Sequence, residues 1–191
     1  MMTDGLQFVV QTLGNLFLFT LLLRFAMQLF RAPFGNPFGQ FVVAFTDFLV
    51  RPLRRAIPGY KGIDFATLVG AWLVEYLIQI LLLWSGGFPF RLAAGAALPA
   101  LALLALVKLL ELAIYLVMGI TVIRAVLSWV NPYSPLAPVI YTLSEPILAP
   151  LRRIIPLVGN VDLTPLVVFF VGQLIILVPL RALEIAILGS F

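Results

Sequence analysis

One carboxylate, Glu75, falls near the middle of an apolar run covering residues 65–84. At that depth in a bilayer an ionised carboxylate costs about 2.5–3.5 kcal/mol on insertion scales unless it is paired or protonated. Trp72, Tyr76 and Gln79 flank it, and Gln79 lies one helical turn further along the same face. Two chemistries fit such a residue. The first is an interhelical hydrogen bond or salt bridge, for which Arg24, Arg124 and Lys108 are the candidate partners. The second is a proton or cation role. Gln11 and Asn15, also four apart, form another polar pair on an earlier apolar run. Such pairs suit a pore lining and a hydrogen-bonded bundle core equally.

A second kind of chemistry is written twice. Residues 51–58 read Arg51-Pro52-Leu53-Arg54-Arg55-x-Ile57-Pro58, and residues 150–156 read Pro150-Leu151-Arg152-Arg153-x-Ile155-Pro156. Prolines cannot continue a helix and fix the chain on either side of a short basic turn. Arg51, Arg54, Arg55, Arg152 and Arg153 therefore sit at hinges. There they serve either as plain topology anchors or as contacts for anionic lipid or a protein partner, since guanidinium binds phosphate through two parallel hydrogen bonds. An aspartate follows each second proline by six residues, Asp64 and Asp162. Each opens an apolar run, so each is expected as a helix N-cap within reach of the hinge arginines. Asp47 and Glu145 precede Arg54 and Arg152 by seven residues, two helical turns, which predicts ion pairs along one face.

The elements that must carry these groups follow from composition. Of 191 residues, 63% are hydrophobic and 10% charged, far from the balance of a soluble domain. There is no cysteine and no histidine. That excludes thiol nucleophiles, disulfides, thiolate or imidazole metal sites and histidine bases. No catalytic constellation appears, so no enzyme and no cofactor is expected. The net charge of +4 reports basic loops at a membrane rather than nucleic acid.

The runs at about 6–30, 65–84, 107–130 and 163–183 are long enough to span. Arg24 and Arg124 fall at matching places in the first and third, and Gln173 in the fourth answers Glu75 in the second. Arg24 and Arg124 are expected to snorkel from the span ends. The fold class is thus all-α integral membrane: four transmembrane helices in two tandem parallel repeats, each with an amphipathic interfacial segment between its spans. The first repeat covers 1–84 and the second 107–191. Residues 85–106 read as a linker or short re-entrant or interfacial segment, with crossing by 92–106 as the other reading. The alanines and glycine at 93–97 suggest close packing there. The positive-inside rule puts both hinges in the cytoplasm with four crossings between outside termini.

The duplicated block, with Asn36-Pro37, both hinges, Asp64 and Asp162, resembles the YggT (YlmG) family of small membrane proteins over nearly the whole chain. The resemblance implies two tandem modules in a bacterial inner (cytoplasmic) membrane. It also implies a loose association with osmotic or ion homeostasis, with envelope or division-site organisation, and in plastids with cytochrome assembly. The expected function is a non-enzymatic scaffold or assembly factor whose basic hinges contact anionic head groups or protein partners. The other reading is an oligomeric ion channel or transport component, with Glu75 and Gln173 near midplane and Asp64 and Asp162 at the mouths. A homo-oligomer is part of that second reading.

Overall fold

The computed structural model describes residues 2–155 and 162–190, side chains at 2 and 91–94 excepted. The described residues are helical throughout apart from turns and one isolated bridge between Tyr60 and Ile63. In chain order the helices are α1 (Met2–Leu29), α2 (Pro37–Ala56), α3 (Phe65–Ser85), α4 (Phe90–Val130), α5 (Ala137–Arg152), α6 (Thr164–Ile175) and α7 (Arg181–Leu188). A π-helical turn, Ile176–Leu180, joins α6 to α7. Pro179 lies in that turn. Its ring crowds the carbonyl four residues back and it offers no N–H, and a widened turn relieves both. Four stretches are long and apolar enough to cross a membrane: Thr3–Leu29, Phe65–Ser85, Gly95–Val130 and Thr164–Leu188.

The two halves repeat one order: long helix, amphipathic helix, hinge, long helix. In α2, Asn36 is the N-cap and its side chain accepts from the Gly39 N–H at 2.7 Å. Gly39, Val42, Thr46 and Val50 recur at helical spacing and form the buried edge. Phe41, Phe45 and Phe48 form an exposed aromatic edge, and Phe17 of α1 stacks on Phe48 and meets Phe45 edge-on. An apolar edge facing outward beside a basic end suits a helix lying in the head-group region.

One core joins α1, α3 and α4 through Leu18, Leu21, Ala71, Ile78, Leu109 and Leu112. A second gathers Met27 of α1, Val42 of α2, Ile120 of α4 and Val139, Ile140 and Leu143 of α5. That second core sets the hinge-side ends of α1 and α4 together and seats both amphipathic helices around them, so both hinges lie at one end of the bundle. A third holds Val107 and Met118 of α4 against Ile176 and Leu180. Among the described residues α3 and α6 do not touch.

The separate segment expected at 92–106 does not form. It is the first part of α4, which runs unbroken past Pro99. Proline removes one ladder hydrogen bond and crowds the carbonyl of residue 95, a glycine whose backbone yields readily. Packing compensates: Ala97, Ala100, Leu101, Leu104 and Ala105 are buried. Trp72 Nε1 donates to the Ala102 carbonyl at 3.0 Å and Tyr76 Oη to that of Leu98 at 3.3 Å. Of the small residues at 93–97, Ala97 is buried while Gly95 meets nothing within 4 Å. The side chains of Ala93 and Ala94 lie outside those described. The last span, expected to end at 183, continues through α7 to Leu188.

Candidate functional site: two arginine hinges and an intramembrane chamber

Each hinge is closed by an arginine–aspartate clamp. In the first, α2 ends at Ala56 and the chain returns through the turn at Lys61 and Gly62, both at positive φ, to Asp64, the N-cap of α3. Arg54 Nη2 donates to Asp64 Oδ2 at 2.6 Å and Nε to the same oxygen at 3.2 Å. Arg54 Nη2 also reaches Gln28 Oε1 of α1 at 2.7 Å. Asp64 Oδ1 accepts from the Thr67 N–H at 3.3 Å, and the Thr67 hydroxyl donates to Oδ2. Burial alone would push the Asp64 carboxyl up. The hydrogen bonds from Arg54 and Thr67 outweigh it and hold the pKa below its ordinary value.

The second hinge repeats the clamp but not the cap: α6 starts from Leu163 as N-cap, and Asp162, expected there, lies one residue earlier. Arg152 Nε and Nη2 each meet Asp162 Oδ2 at 2.8 Å, and Asp162 Oδ1 accepts from the Thr164 N–H at 2.9 Å. Burial raises the Asp162 pKa, and Thr164 and Arg152 more than offset it, so it too is lowered. This copy is more open, with the Asp162 side chain 29% exposed against 2% for Asp64. Pro156 lies outside the described residues.

Beside each clamp lies a second circuit. Arg24 is not a snorkelling side chain: it is 3% exposed. Its Nη1 donates to Thr46 Oγ1 at 2.8 Å and its Nη2 pairs with Asp47 Oδ1 at 3.0 Å. In the second half Arg124 Nη1 donates to Ser144 Oγ at 2.9 Å and pairs with Glu145 Oε2 at 2.6 Å. Its guanidinium also lies over the Tyr141 ring. Asp47 thus pairs with Arg24, not with Arg54 two turns along α2, because Arg54 is held by Asp64. Glu145 does both, reaching Arg152 at 3.7 Å as well. Thr46 and Ser144 were not singled out from sequence. Their signal was present as a hydroxyl–acid dipeptide, Thr46-Asp47 and Ser144-Glu145, at the same offset as the hinges.

The clamps leave a remainder. Arg51, Arg55 and Arg153 are exposed, and among the described residues none has a carboxylate within ion-pair distance. In each Arg-Arg pair the first member is locked and the second is free.

Glu75 is 2% exposed. Its Oε1 accepts from Gln79 Nε2 at 2.6 Å, and its Oε2 has no partner. None of Arg24, Arg124 and Lys108 is bonded to it. Lys108 Nζ pairs with Glu111 at 3.1 Å and with Glu184 of α7 at 3.0 Å, and Glu184 holds Arg181 at 2.9 Å. Glu75 and Gln79 line a chamber of about 390 Å³ between α1, α3 and α4, with Gln11, Asn15, Lys108, Glu111 and Tyr115. Gln173 sits on α6, half-buried, away from this chamber. The repeat-related pair Glu75 and Gln173 is therefore not brought together.

Comparison with known proteins matches this duplication. The CCB3/YggT family model matches the chain twice, over residues 3–85 and 103–183. An uncharacterized protein of Pseudomonas aeruginosa is 38% identical over 170 residues, 88% of this chain and 84% of the relative. A Vibrio alginolyticus protein is 39% identical over 170 residues, 87% of this chain and 88% of the relative. YggT of Escherichia coli K12 is 34% identical over 165 residues, 86% of this chain and 83% of the relative. No solved structure matches the chain. With both matches lying on the two hinge-bearing halves, the chain belongs to the CCB3/YggT family and carries its module twice in tandem.

Proposed function

We propose that the chain is a non-enzymatic membrane scaffold whose hinge end docks on the anionic head groups of the cytoplasmic leaflet of a bacterial inner membrane. The observation that carries this reading is the division of labour within each arginine pair. Arg54 and Arg152 are spent on Asp64 and Asp162, which hold the turns in shape. Arg55 and Arg153, with Arg51, are left exposed and uncompensated on the same end of the bundle. Each basic residue near an anionic surface contributes about 1 kcal/mol of attraction. The outward aromatic edge of α2 supports the same orientation by anchoring that helix at the interface. The lack of cysteine and histidine supports a role without covalent or acid–base chemistry.

Retention of phosphatidylglycerol against phosphatidylcholine, measured by native mass spectrometry of the purified protein, tests this. Replacing Arg51, Arg55 and Arg153 together by Gln should cut the preference by about tenfold or more. Arg181→Gln, at the other end of the bundle, should leave it unchanged. An unchanged preference in the triple variant overturns the lipid-docking role of these arginines.

A further inference from the structure

The chamber around Glu75 has a charge that nothing among the described residues answers. Its wall carries two carboxylates, Glu75 and Glu111, and one cation, Lys108, while Glu184 pairs with Lys108 from α7 and is itself held by Arg181. Every one of these groups except Glu75 is in an ion pair. The unmatched negative charge therefore rests on the most buried member, and Glu75 Oε2 is the atom without a partner. In a membrane-spanning bundle no water is at hand to satisfy a stray polar group, so such a group implies something that does.

Side chains with neutral oxygens line the same chamber. These are Gln11, Asn15 and Tyr115, which make no hydrogen bond among the described residues. The duplication explains why they converge. Gln11 and Asn15 of α1 correspond to Glu111 and Tyr115 of α4, one hundred residues on, and both helices turn this stretch toward α3. Gln11 also borders a second pocket of about 460 Å³, where Gln7, Gly86 and Gly87 surround the turn after α3. Polar side chains thus lead inward from the end of the bundle opposite the hinges.

We propose that the chamber binds one partly hydrated alkali-metal cation, with Glu75 as its counter-charge and the side chains of Asn15, Gln11 and Tyr115 as neutral oxygen donors. A hard, all-oxygen donor set suits such ions. The single unmatched charge and the ammonium of Lys108 in the wall favour a monovalent ion over a divalent one, which takes six or more oxygens and commonly several carboxylates. The volume admits an ion together with several waters, each with a share of about 30 Å³.

Equilibrium binding of radioactive rubidium to the purified full chain in nanodiscs tests this, with N-methylglucamine keeping ionic strength constant. The expected result is one rubidium per chain, displaced by potassium or sodium. Affinity should fall by about tenfold or more in Glu75→Gln and in Asn15→Leu. Rubidium should also raise the melting temperature of the wild type by a few degrees through linkage, and not that of Glu75→Gln. Absence of rubidium binding to folded wild type overturns the proposal. So does equal binding by folded Glu75→Gln, or a melting temperature that responds to pH alone, which would make Glu75 a protonated carboxyl only. If Glu75→Gln does not fold, wild-type binding and Asn15→Leu decide.

Discussion

Arg54 grips Asp64 at 2.6 Å across the first hinge, and the two are unequally buried: the arginine side chain is 42% exposed and the aspartate 2%. The buried partner therefore bears the larger penalty when the pair is broken. Removing Arg54 strands a carboxylate, whereas removing Asp64 releases an arginine that reaches water. The corresponding pair at the second hinge, Arg152 and Asp162, is more evenly exposed.

Arg54→Gln should accordingly destabilise the protein by about 2–3 kcal/mol, somewhat less than for a fully buried pair because Arg54 is partly solvated. Arg152→Gln should cost about 1 kcal/mol or less. Thermal or denaturant unfolding in detergent micelles checks the order. A larger loss at the second hinge would contradict it.

The same carboxylates set an acid limb. The pKa of Asp64 and of Asp162 lies below the ordinary value in the folded state. Their contribution is therefore fully present above the unfolded value of about 4 and is lost as pH falls through the folded one. Stability attributable to them should be flat from neutral pH down to about 5 and decline below about 4. In Asp64→Asn the decline should shrink, measured as melting temperature against pH.

Arg24 and Asp47 should couple, and Arg54 and Asp47 should not. A double-mutant cycle on Arg24→Gln and Asp47→Asn is expected to give an interaction of about 1–2 kcal/mol. The cycle on Arg54→Gln and Asp47→Asn should add to within about 0.5 kcal/mol. Coupling in the second cycle would restore the pairing along α2 that spacing alone suggests.

Two glycines separate tight backbone from yielding side chain. A Cβ on Gly39 would come within 2.7 Å of Phe34 Cα and 2.8 Å of its carbonyl oxygen, while one on Gly172 would meet Met118 Sδ at 2.6 Å. Backbone cannot step aside, whereas a methionine re-packs. Gly39→Ala should therefore cost about 2 kcal/mol or more and Gly172→Ala about 1 kcal/mol or less, read from melting curves.

A chain without native cysteine is ready for topology mapping. Arg55→Cys and Arg153→Cys, made singly, should react with a membrane-impermeant maleimide from the same side of inverted vesicles. Labelling from opposite sides would contradict the shared core of Met27, Val42 and Val139 that brings both hinges to one end.

Sequence by itself determined the helical class, the two-module architecture, the hinge positions and the segments able to span. Those rest on local quantities: apolar run length, proline placement and a repeated string of side chains. Sequence also ranked Glu75 as the most unusual intramembrane group, because its cost depends on depth alone. Spacing also put Asp64 and Asp162 within reach of the hinge arginines, but the choice among competing partners was decided by tertiary packing. Spacing along α2 offered Asp47 to Arg54, yet α1 and α3 deliver Arg24 and Asp64 to those two side chains and re-pair both. Spacing likewise divided α4 into 92–106 and 107–130, and the contacts that Trp72 and Tyr76 make across to its first part accompany one unbroken helix. The repeat suggested that Glu75 and Gln173 share a path, but α3 and α6 do not touch. Glu75 shares a chamber with Asn15 and Tyr115 instead, because a duplicated chain fixes which side chains are equivalent and only the packing of its helices fixes which ones meet.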